Sequence, residues 1–279
     1  GFLLLLRSSR FGWVFLGFGR WCMQALDEGK DTIPTNLRLL LVMEAVAAAG
    51  VPITPTQVNL GLGLPKPTIH RLFATLEEEG FLQRDIDGRS YAPGRRAREM
   101  SGGILSSLRL RTARLAILTR LATGIGETCN ISLPERDAMI YLERVETDWP
   151  LRIQLPVGTR VPFYCTSSGK MYLSSLPSRH LDRYLAAATL EPRTPNSLTD
   201  PARLREALLR ARADGFATDD EEFMEGMIAL AVPIRDTNGR LFATLSFHAP
   251  TQRFDIERAK AFLPQLDAAA LELSRLSFA

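Results

Sequence analysis

The sequence predicts an α+β fold in two parts: an N-terminal winged helix-turn-helix, and a domain with an antiparallel sheet, joined to it by a helical linker. Three observations lead to this prediction. Helix, short helix, glycine turn, longer helix and hairpin follow one another between residues 36 and 91. In the second half, sequential strands have helices between and after them. The length of 279 residues, 46% of them apolar, allows two domains with cores of their own.

The composition excludes several classes of protein. The chain has no low-complexity tract, so it is neither a disordered tail nor a collagen-like repeat. Its 34 basic residues include three within residues 1–22, which leaves 31 basic against 31 acidic side chains in the remainder. Any nucleic-acid surface must therefore be a local patch. The three widely spaced cysteines form neither a disulfide framework nor a zinc knuckle, and they favour a reducing cytoplasm.

Residues 1–22 differ in composition from the rest, with apolar runs that arginines interrupt before a span of about 20 apolar residues is reached. Three interpretations remain open: a signal or anchor segment, an amphipathic membrane-surface stretch, or translated upstream sequence ahead of a start at Met23. The last is favoured because no small-residue cleavage site follows. We predict an extension at 1–22 outside the native fold, the winged helix-turn-helix at 23–94, the linker at 95–110 and the sheet domain at 111–279.

The first two helices are predicted from apolar periodicity and from residues that begin and end helices. Apolar residues recur at helical spacing from Asn36 to Ala49, and Gly50 supplies the end. Thr54 is a good N-cap and Gln57 stands three residues later, which is the capping-box pattern. A short second helix therefore runs to about Leu60.

A third helix and a hairpin complete the winged helix-turn-helix pattern. The third helix is predicted at Pro65 to Glu79, with apolar residues on one face and Gly80 after it. A strand at Phe81–Gln83 follows. The Asp87-Gly88 pair is typical of turns that close hairpins, so a second strand passes through Tyr91.

The polar face of the third helix is a candidate nucleic-acid surface. Its N-terminal half has two cations and no acid, whereas Glu77 to Glu79 place three acids at the far end. This asymmetry presents the N-terminal half to phosphates and base edges. A solvated face is the competing interpretation, which the hairpin and the turn weigh against. The predicted DNA-binding residues are Lys66, Thr68, His70, Arg71 and Thr75 on the helix, with Arg84 and Arg89 on the hairpin.

These residues carry a resemblance to a known family. The sequence from Gly63 to Leu72 (GLPKPTIHRL), that from Leu76 to Leu82 (LEEEGFL) and that from Asp87 to Arg89 resemble the DNA-binding domain of the isocitrate-lyase-regulator (IclR) family of bacterial transcription regulators. Pro67 stands where the family usually has serine, so one hydroxyl available to a phosphate is missing. Proline is tolerated there because the N–H groups of a first helical turn have no partner within the helix.

The rest of the chain predicts a linker and a sheet domain. Residues 94–125 are predicted as helix, and its long apolar face must be covered in part by the second domain or a partner chain. Strands are predicted at Thr128–Leu133, Met139–Val145, Leu151–Leu155, Ile228–Ile234 and Leu241–Phe247. Helices are predicted at Thr166–Leu176, Ser178–Ala188, Asp200–Asp214 and from Asp255 to about Ser277.

The resemblance extends to this second half. Gly158 to Pro162 (GTRVP), Thr166 to Lys170 (TSSGK), Gly215 to Glu222 with Gly226, and Ala231 to Pro233 (AVP) resemble the family's effector-binding domain, which has a GAF-like fold. The two matches together span Met23 to the C-terminus. The motifs are moderately specific singly and strong in this order.

A candidate effector site begins at the start of the helix predicted from Thr166. Hydroxyls and backbone N–H groups of Thr166, Ser167, Ser168 and Gly169 form a nest that favours an anion such as a carboxylate. Capping of the helix by Thr166 or Ser167 is the simpler interpretation, and the resemblance favours a pocket. It further implies that Asp219, Ala229, Ser246 and His248 line this pocket. Ala229 replaces a frequent cysteine and His248 a small or hydroxyl residue, so no relative's ligand can be carried over.

Patterns of catalytic chemistry are incomplete. Ser167 to Lys170 fits S-x-x-K, but the partner motifs of acylating enzymes are absent. Tyr164 and Met171 stand where a phosphate-binding loop needs glycine and a hydroxyl. The three histidines are too far apart to indicate a metal site, and Asp219 to Glu222 are interpreted as a solvated or capping cluster. We expect no catalytic residues, no metal and no cofactor, and therefore not an enzyme.

The resemblance implies a cytoplasmic transcription regulator that binds double-stranded operator DNA and responds to a small organic acid or aromatic metabolite. It also implies homodimers that assemble into tetramers, and no membrane is expected as a partner. The alternative is a metabolite-binding protein or enzyme whose N-terminal domain makes only protein contacts. Binding to the intergenic DNA upstream of its own gene distinguishes the two.

Overall fold

A computed structural model describes residues 33–105, 108–149 and 155–278 of the chain. The predicted extension at 1–22 and the start at Met23 lie outside the described residues, as does most of the strand predicted at Leu151–Leu155. The described fold is α+β, as predicted. Within the described ranges, no helix combines the length and the apolarity that crossing a membrane requires.

The N-terminal part has the element order of a winged helix-turn-helix. Each element lies within two residues of its predicted bounds. The elements are helices α1 (Thr35–Ala49), α2 (Pro55–Leu62) and α3 (Lys66–Glu78), and strands β1 (Leu82–Arg84) and β2 (Tyr91–Pro93). The two strands pair antiparallel, with Gln83 opposite Ala92.

Local residues explain why these helices begin and end where they do. The Thr54 side chain accepts from Gln57 N and the Gln57 side chain accepts from Thr54 N, so the predicted capping box is present. Gly50 and Gly63 end α1 and α2 in the left-handed region, which glycine enters without steric cost. The apolar faces meet in a small core in which the rings of Phe73 and Tyr91 pack edge to face, 5.0 Å apart.

The second part contains a six-stranded sheet and its helices. The linker region forms α4 (Arg95–Leu105) and α5 (Leu108–Ile125), and residues 106–107 between them are not described. The remaining elements are β3 (Thr128–Glu135), β4 (Ala138–Val145), β5 (Arg160–Pro162), α6 (Ser167–Ser175), α7 (Ser178–Ala187), α8 (Pro201–Asp214), β6 (Ala217–Asp220), β7 (Met227–Arg235), β8 (Leu241–Pro250), α9 (Ile256–Lys260) and α10 (Leu263–Phe278).

Two features of this part differ from the prediction. Strands β5 and β6 were not expected from their short and partly polar sequences, and both are stabilised by pairing with a neighbouring strand. The closing helix predicted from Asp255 to about Ser277 is two helices, α9 and α10. Pro264 lies in the first turn of α10, where its missing N–H removes no helical hydrogen bond, so the chain restarts a helix there.

The sheet has strand order β5-β4-β3-β8-β7-β6, and every pair is antiparallel. Its side chains alternate between two faces. One face, with Ile131, Leu230 and Phe247, packs against α5 and α10 in the main apolar core. The other face carries polar side chains on β3 and β8, and α6 lies over it. This polar face, defined by Asn130, Ser132, Thr244, Ser246 and His248, positions the candidate effector site.

Candidate functional site

Helix α3 separates an apolar face from an exposed polar face. Ile69, Phe73 and Leu76 are buried against α1 and α2, which anchors the helix in the small core. The predicted DNA-binding side chains of the helix lie on the opposite side: Lys66, His70, Arg71 and Thr75 are exposed and Thr68 is half-buried. Four of these five side chains are therefore accessible from solvent, and Thr68 is partly so.

The hairpin is held to the far end of α3 by an ion pair. Arg84 donates to both carboxylate oxygens of Glu77, at 3.0 and 2.7 Å, and to the carbonyl of Gly88 at 3.1 Å. The hydrogen bond from Arg84 lowers the pKa of Glu77. Arg84 thus positions the wing, and its guanidinium is already engaged. Arg89 is exposed near the turn, as is Ile86.

The start of α6 is a capped and closely packed helix end. Thr166 is the N-cap, and its hydroxyl accepts from Gly169 N at 3.1 Å and donates to the Pro162 carbonyl at 2.7 Å. A Cβ on Gly169 would lie 2.3 Å from Phe163 Cα, so glycine is required here for packing. Ser168 donates to Ser246 across to β8 at 3.3 Å. Capping accounts for Thr166 and packing for Gly169, while Ser168 faces the polar face of the sheet.

His248 lies in a buried polar cluster that the sequence did not predict. Arg144 Nη1 donates to Asn130 Oδ1 at 3.1 Å, and Asn130 Nδ2 lies 3.2 Å from His248 Nδ1. Because a guanidinium has only donors, Asn130 turns its carbonyl to Arg144 and its amide NH₂ to the imidazole. His248 Nδ1 is therefore an acceptor. Arg144 Nη2 lies 3.5 Å from His248 Nε2. A neutral imidazole whose Nδ1 accepts carries its hydrogen on Nε2, so this approach is not a second hydrogen bond to the ring.

Asp219 and Glu222 are buried around Lys170. Asp219 Oδ1 accepts from Glu222 N at 2.8 Å and from Phe223 N at 3.2 Å, and Lys170 Nζ donates to Glu222 Oε1. The capping part of the prediction for Asp219 to Glu222 holds. The solvated part holds for Asp220, which is exposed, and is wrong for Asp219, which is only 1% exposed. Burial raises the pKa of Asp219 to about 7, although the Lys170 charge opposes this.

Several buried oxygens at or beside the polar face lack a partner. Within the described residues, Asp219 Oδ2, Glu222 Oε2, Ser132 Oγ and Thr244 Oγ1 accept or donate no hydrogen bond. Buried polar groups in folded proteins are nearly always paired, so unpaired ones call for a missing water or ligand. On β7, Ala229 pairs with Asp219 of β6 and with His248 of β8. The methyl group of Ala229 therefore lies between Asp219 and His248.

Asn130, Arg144, Lys170 and Glu222 were not among the predicted site residues. The strand sequence around Asn130 alternates between apolar and polar residues, and such a pattern is typical of a strand with one solvated face. Nothing in the sequence shows that α6 covers that face. The metal-site interpretation gains no support, because the described residues contain no cluster of three potential ligands.

A winged helix-turn-helix with an exposed cationic face, followed by a sheet domain with a buried polar face, defines a transcription regulator with a sensing domain. The chain belongs to the IclR family of bacterial transcription regulators. Residues 37–85 match the IclR helix-turn-helix domain, and residues 102–275 match the bacterial transcriptional regulator IclR C-terminal domain. It is therefore a DNA-binding regulator with an effector-binding domain and not an enzyme.

Sequence similarity to named regulators supports this family membership. The chain is 35% identical to the probable transcriptional regulator SauR of Cupriavidus necator, over 85% of this chain and 94% of that protein. It is 30% identical to the Pca regulon regulatory protein of Pseudomonas putida, over 92% of this chain and 88% of that protein.

Solved structures give the same picture. A putative transcriptional regulator from Rhodococcus sp. RHA1 is 28% identical, with a TM-score of 0.59, over 87% of this chain and 96% of that one. An IclR homologue from Microbacterium hydrocarbonoxydans, in complex with 4-hydroxybenzoate, is 26% identical with a TM-score of 0.56. It covers 86% of this chain and 98% of that one.

Proposed function

We propose that the exposed face of α3 reads operator DNA. Lys66 and Arg71 are its cations, Thr68, His70 and Thr75 are its hydrogen-bonding neighbours, and they lie opposite the buried anchor of the helix. Arginine pairs with guanine through two hydrogen bonds, so Arg71 is the side chain best suited to base recognition.

On the wing, two arginines take different roles. Arg89 is exposed and suits a phosphate contact, whereas Arg84 is engaged by Glu77 and contributes by fixing the wing.

We propose further that the polar face of the sheet and the start of α6 bind the effector. The observation that carries this proposal is the set of buried oxygens without a partner, above all Asp219 Oδ2. When Asp219 is ionised, that oxygen is an acceptor that needs a hydrogen-bond donor. The N-terminus of α6 carries the positive end of a helix dipole and favours a carboxylate, to which Ser167 and Ser168 lie next.

The two requirements define a ligand class. The ligand class is an aliphatic or aromatic organic acid that also carries a hydroxyl. Its carboxylate binds at the N-terminus of α6, and its hydroxyl donates a hydrogen bond to Asp219. Ala229 and Ser246 have small side chains and pair with β8 and β7 between these ends, and His248 pairs with Ala229. The relative from Microbacterium hydrocarbonoxydans is described in complex with 4-hydroxybenzoate, which has both groups.

An oligomer in the cytoplasm is the proposed working form. Leu37 and Leu40 on α1, with Met100 and Ile104 on α4, are exposed apolar side chains that a second copy of the chain would cover. A dimer also provides two recognition helices for two half-sites. Sedimentation analysis tests this, because a monomer at micromolar concentration contradicts it.

Two measurements test the function. A gel shift against the intergenic DNA upstream of the gene should show specific binding, and Arg71→Ala should weaken it by about 1 to 3 kcal/mol if Arg71 reads a guanine. Loss at one base position would support base recognition, whereas uniform loss with a shallower salt slope would indicate a phosphate contact. Unchanged affinity for both Arg71→Ala and Lys66→Ala would exclude α3 as the reading helix.

For the effector site, 4-hydroxybenzoate and other hydroxy acids serve as probes in thermal unfolding. A ligand at 100 times its Kd stabilises the folded protein by about 2.7 kcal/mol, so binding raises the melting temperature. Asp219→Asn should reduce that rise, since the amide offers a donor where the ligand also donates. A probe that stabilises the Asp219→Asn protein as much as the wild type would remove Asp219 from the site.

A further inference from the structure

One arginine of the effector-binding domain contacts the winged helix of the same chain. Arg240 lies in the turn between β7 and β8, and its Nη1 donates to the carbonyl of Ala48 and, at 3.4 Å, to that of Ala47. These carbonyls belong to the last turn of α1, whose C-terminal oxygens have no partner within the helix. Helix α1, which is described in full, has no basic residue in that turn. Arg240 therefore supplies the cation that the negative end of α1 favours.

The arginine is held in place on its own side. Asp236, at the start of the same turn, accepts from Arg240 Nε at 2.9 Å and from Nη2 at 2.7 Å. Burial raises the pKa of Asp236, but hydrogen bonds from the backbone and side chain of Arg240 outweigh it and leave that pKa lowered. Only the outer nitrogen of the guanidinium reaches α1. Gly50 leaves room for it, because a Cβ there would lie 2.7 Å from Arg240 Nη1.

A second polar contact joins the same two domains. Arg183 on α7 lies 3.7 Å from Asp85, which follows β1 at the base of the wing. Between the two contacts is an open cleft of about 370 Å³, lined by Gly50 to Pro52 on one side and by residues of α7, among them His180 and Tyr184, on the other. The two contacts described here are polar and partly exposed, and they flank a gap between the domains. Such contacts are individually weak, so this interface can open without unfolding either domain.

The turn that carries Arg240 also ends the hairpin that carries the proposed effector site. Ala229 on β7 pairs with His248 on β8, and Ala231 pairs with Ser246. The two strands stay paired along the hairpin up to Arg235 and Leu241, next to the turn. The pairing is continuous except for a register shift between Ile234 and Arg235, so it connects Ser246 on β8 to the turn through hydrogen-bonded strands.

We propose that the Asp236–Arg240 turn is a latch that holds the winged helix against the effector-binding domain of its own chain, and that the effector acts on DNA binding by moving this latch. The second half of this proposal rests on the proposed effector site. The latch fixes the position of α3 relative to the effector-binding domain, and therefore the spacing of two recognition helices in a dimer.

Hydrogen exchange on the full chain tests the latch without DNA or ligand. In Arg240→Ala, peptides that cover residues 45–52 should exchange at least threefold faster than in the wild type, while peptides of α6 remain unchanged. Arg235→Ala is the matched control, because Arg235 donates to the Gly239 carbonyl in the same hairpin and, within the described residues, forms no hydrogen bond or ion pair with α1. Equal exchange in Arg240→Ala and the wild type would overturn the latch.

A charge swap at the Arg183–Asp85 contact provides a second test that does not depend on how Arg240→Ala folds. Asp85→Arg and Arg183→Asp should each speed exchange at residues 45–52 and in the wing, and the double variant should restore the wild-type rate by recreating the ion pair. Failure of the double variant to restore it would show that the Arg183–Asp85 contact does not hold the domains.

Affinity for the upstream intergenic DNA tests the regulatory half. Ligand-free Arg240→Ala should differ from the wild type at least threefold in affinity, with Arg235→Ala equal to the wild type. If Arg240→Ala shows faster hydrogen exchange but unchanged affinity for the DNA, the coupling between latch and DNA binding is overturned, while the latch itself stands. Absence of DNA binding by the wild type would contradict the proposed function instead, and the exchange rates would still decide the latch.

Discussion

Asp219→Asn should change how the stability of the protein depends on pH. Burial raises the pKa of this carboxyl from 3.8 to about 7. The folded protein therefore binds the proton more tightly than the unfolded chain does, and stability falls as the pH rises from 3.8 to 7. The difference between the two pKa values corresponds to roughly 4 kcal/mol of unfolding free energy, of which roughly 3 kcal/mol is lost between pH 5 and pH 8. Asparagine cannot ionise and escapes this loss.

Urea unfolding at pH 5, 6, 7 and 8, followed by circular dichroism, measures the effect. The free energy of unfolding of Asp219→Asn, relative to the wild type, should increase by roughly 3 kcal/mol between pH 5 and pH 8. Asp220→Asn is the matched control, since Asp220 is the next residue in β6 and is exposed. Parallel pH profiles for Asp219→Asn and the wild type would show that Asp219 is not the buried acid described above.

Three further substitutions and one control follow from packing and from the DNA surface. Gly169→Ala should cost about 1 to 3 kcal/mol of unfolding free energy, because its Cβ meets the backbone of Phe163 at 2.3 Å. Gly124→Ala is its control in α5: the Cβ has ordinary contact there, and alanine should stabilise the helix by up to about 1 kcal/mol. Leu118→Ala, fully buried in the main core, should cost about 2 to 5 kcal/mol in the same urea assay. Arg71→Ala should leave this stability unchanged while it weakens DNA binding, and a loss of both would indicate a folding defect.

The elements that sequence reasoning found are those fixed by local chemistry. The capping box at Thr54 and Gln57, and the glycines that end α1 and α2, act within a few residues and can be recognised in one segment. Strand β6 could not be found in this way. Its sequence, Ala217-Thr218-Asp219-Asp220, is polar, and its strand geometry comes from pairing with β7.

The polar face shows why only part of the candidate site was predictable. Thr166, Ser168 and Asp219 came from a hydroxyl-rich motif and from the family resemblance. Asn130 and Arg144 lie on strands whose alternation is equally typical of a solvated face, yet Asn130 and the Arg144 side chain are buried in the folded chain. The solvated interpretation failed for Asp219 and Glu222 for the same reason, since their burial depends on segments distant in sequence.

The central claim is that this protein binds operator DNA and that an effector weakens or strengthens this binding. Fluorescence anisotropy tests the claim most directly. The labelled duplex is the intergenic DNA upstream of the gene, and the ligand is the hydroxy acid that raises the melting temperature most. Coupling between sites usually amounts to about 5- to 150-fold in affinity, so the ligand should shift the Kd for this duplex within that range and leave binding to a scrambled duplex unchanged. A ligand that stabilises the protein but leaves the Kd for the upstream duplex unaltered would contradict the account.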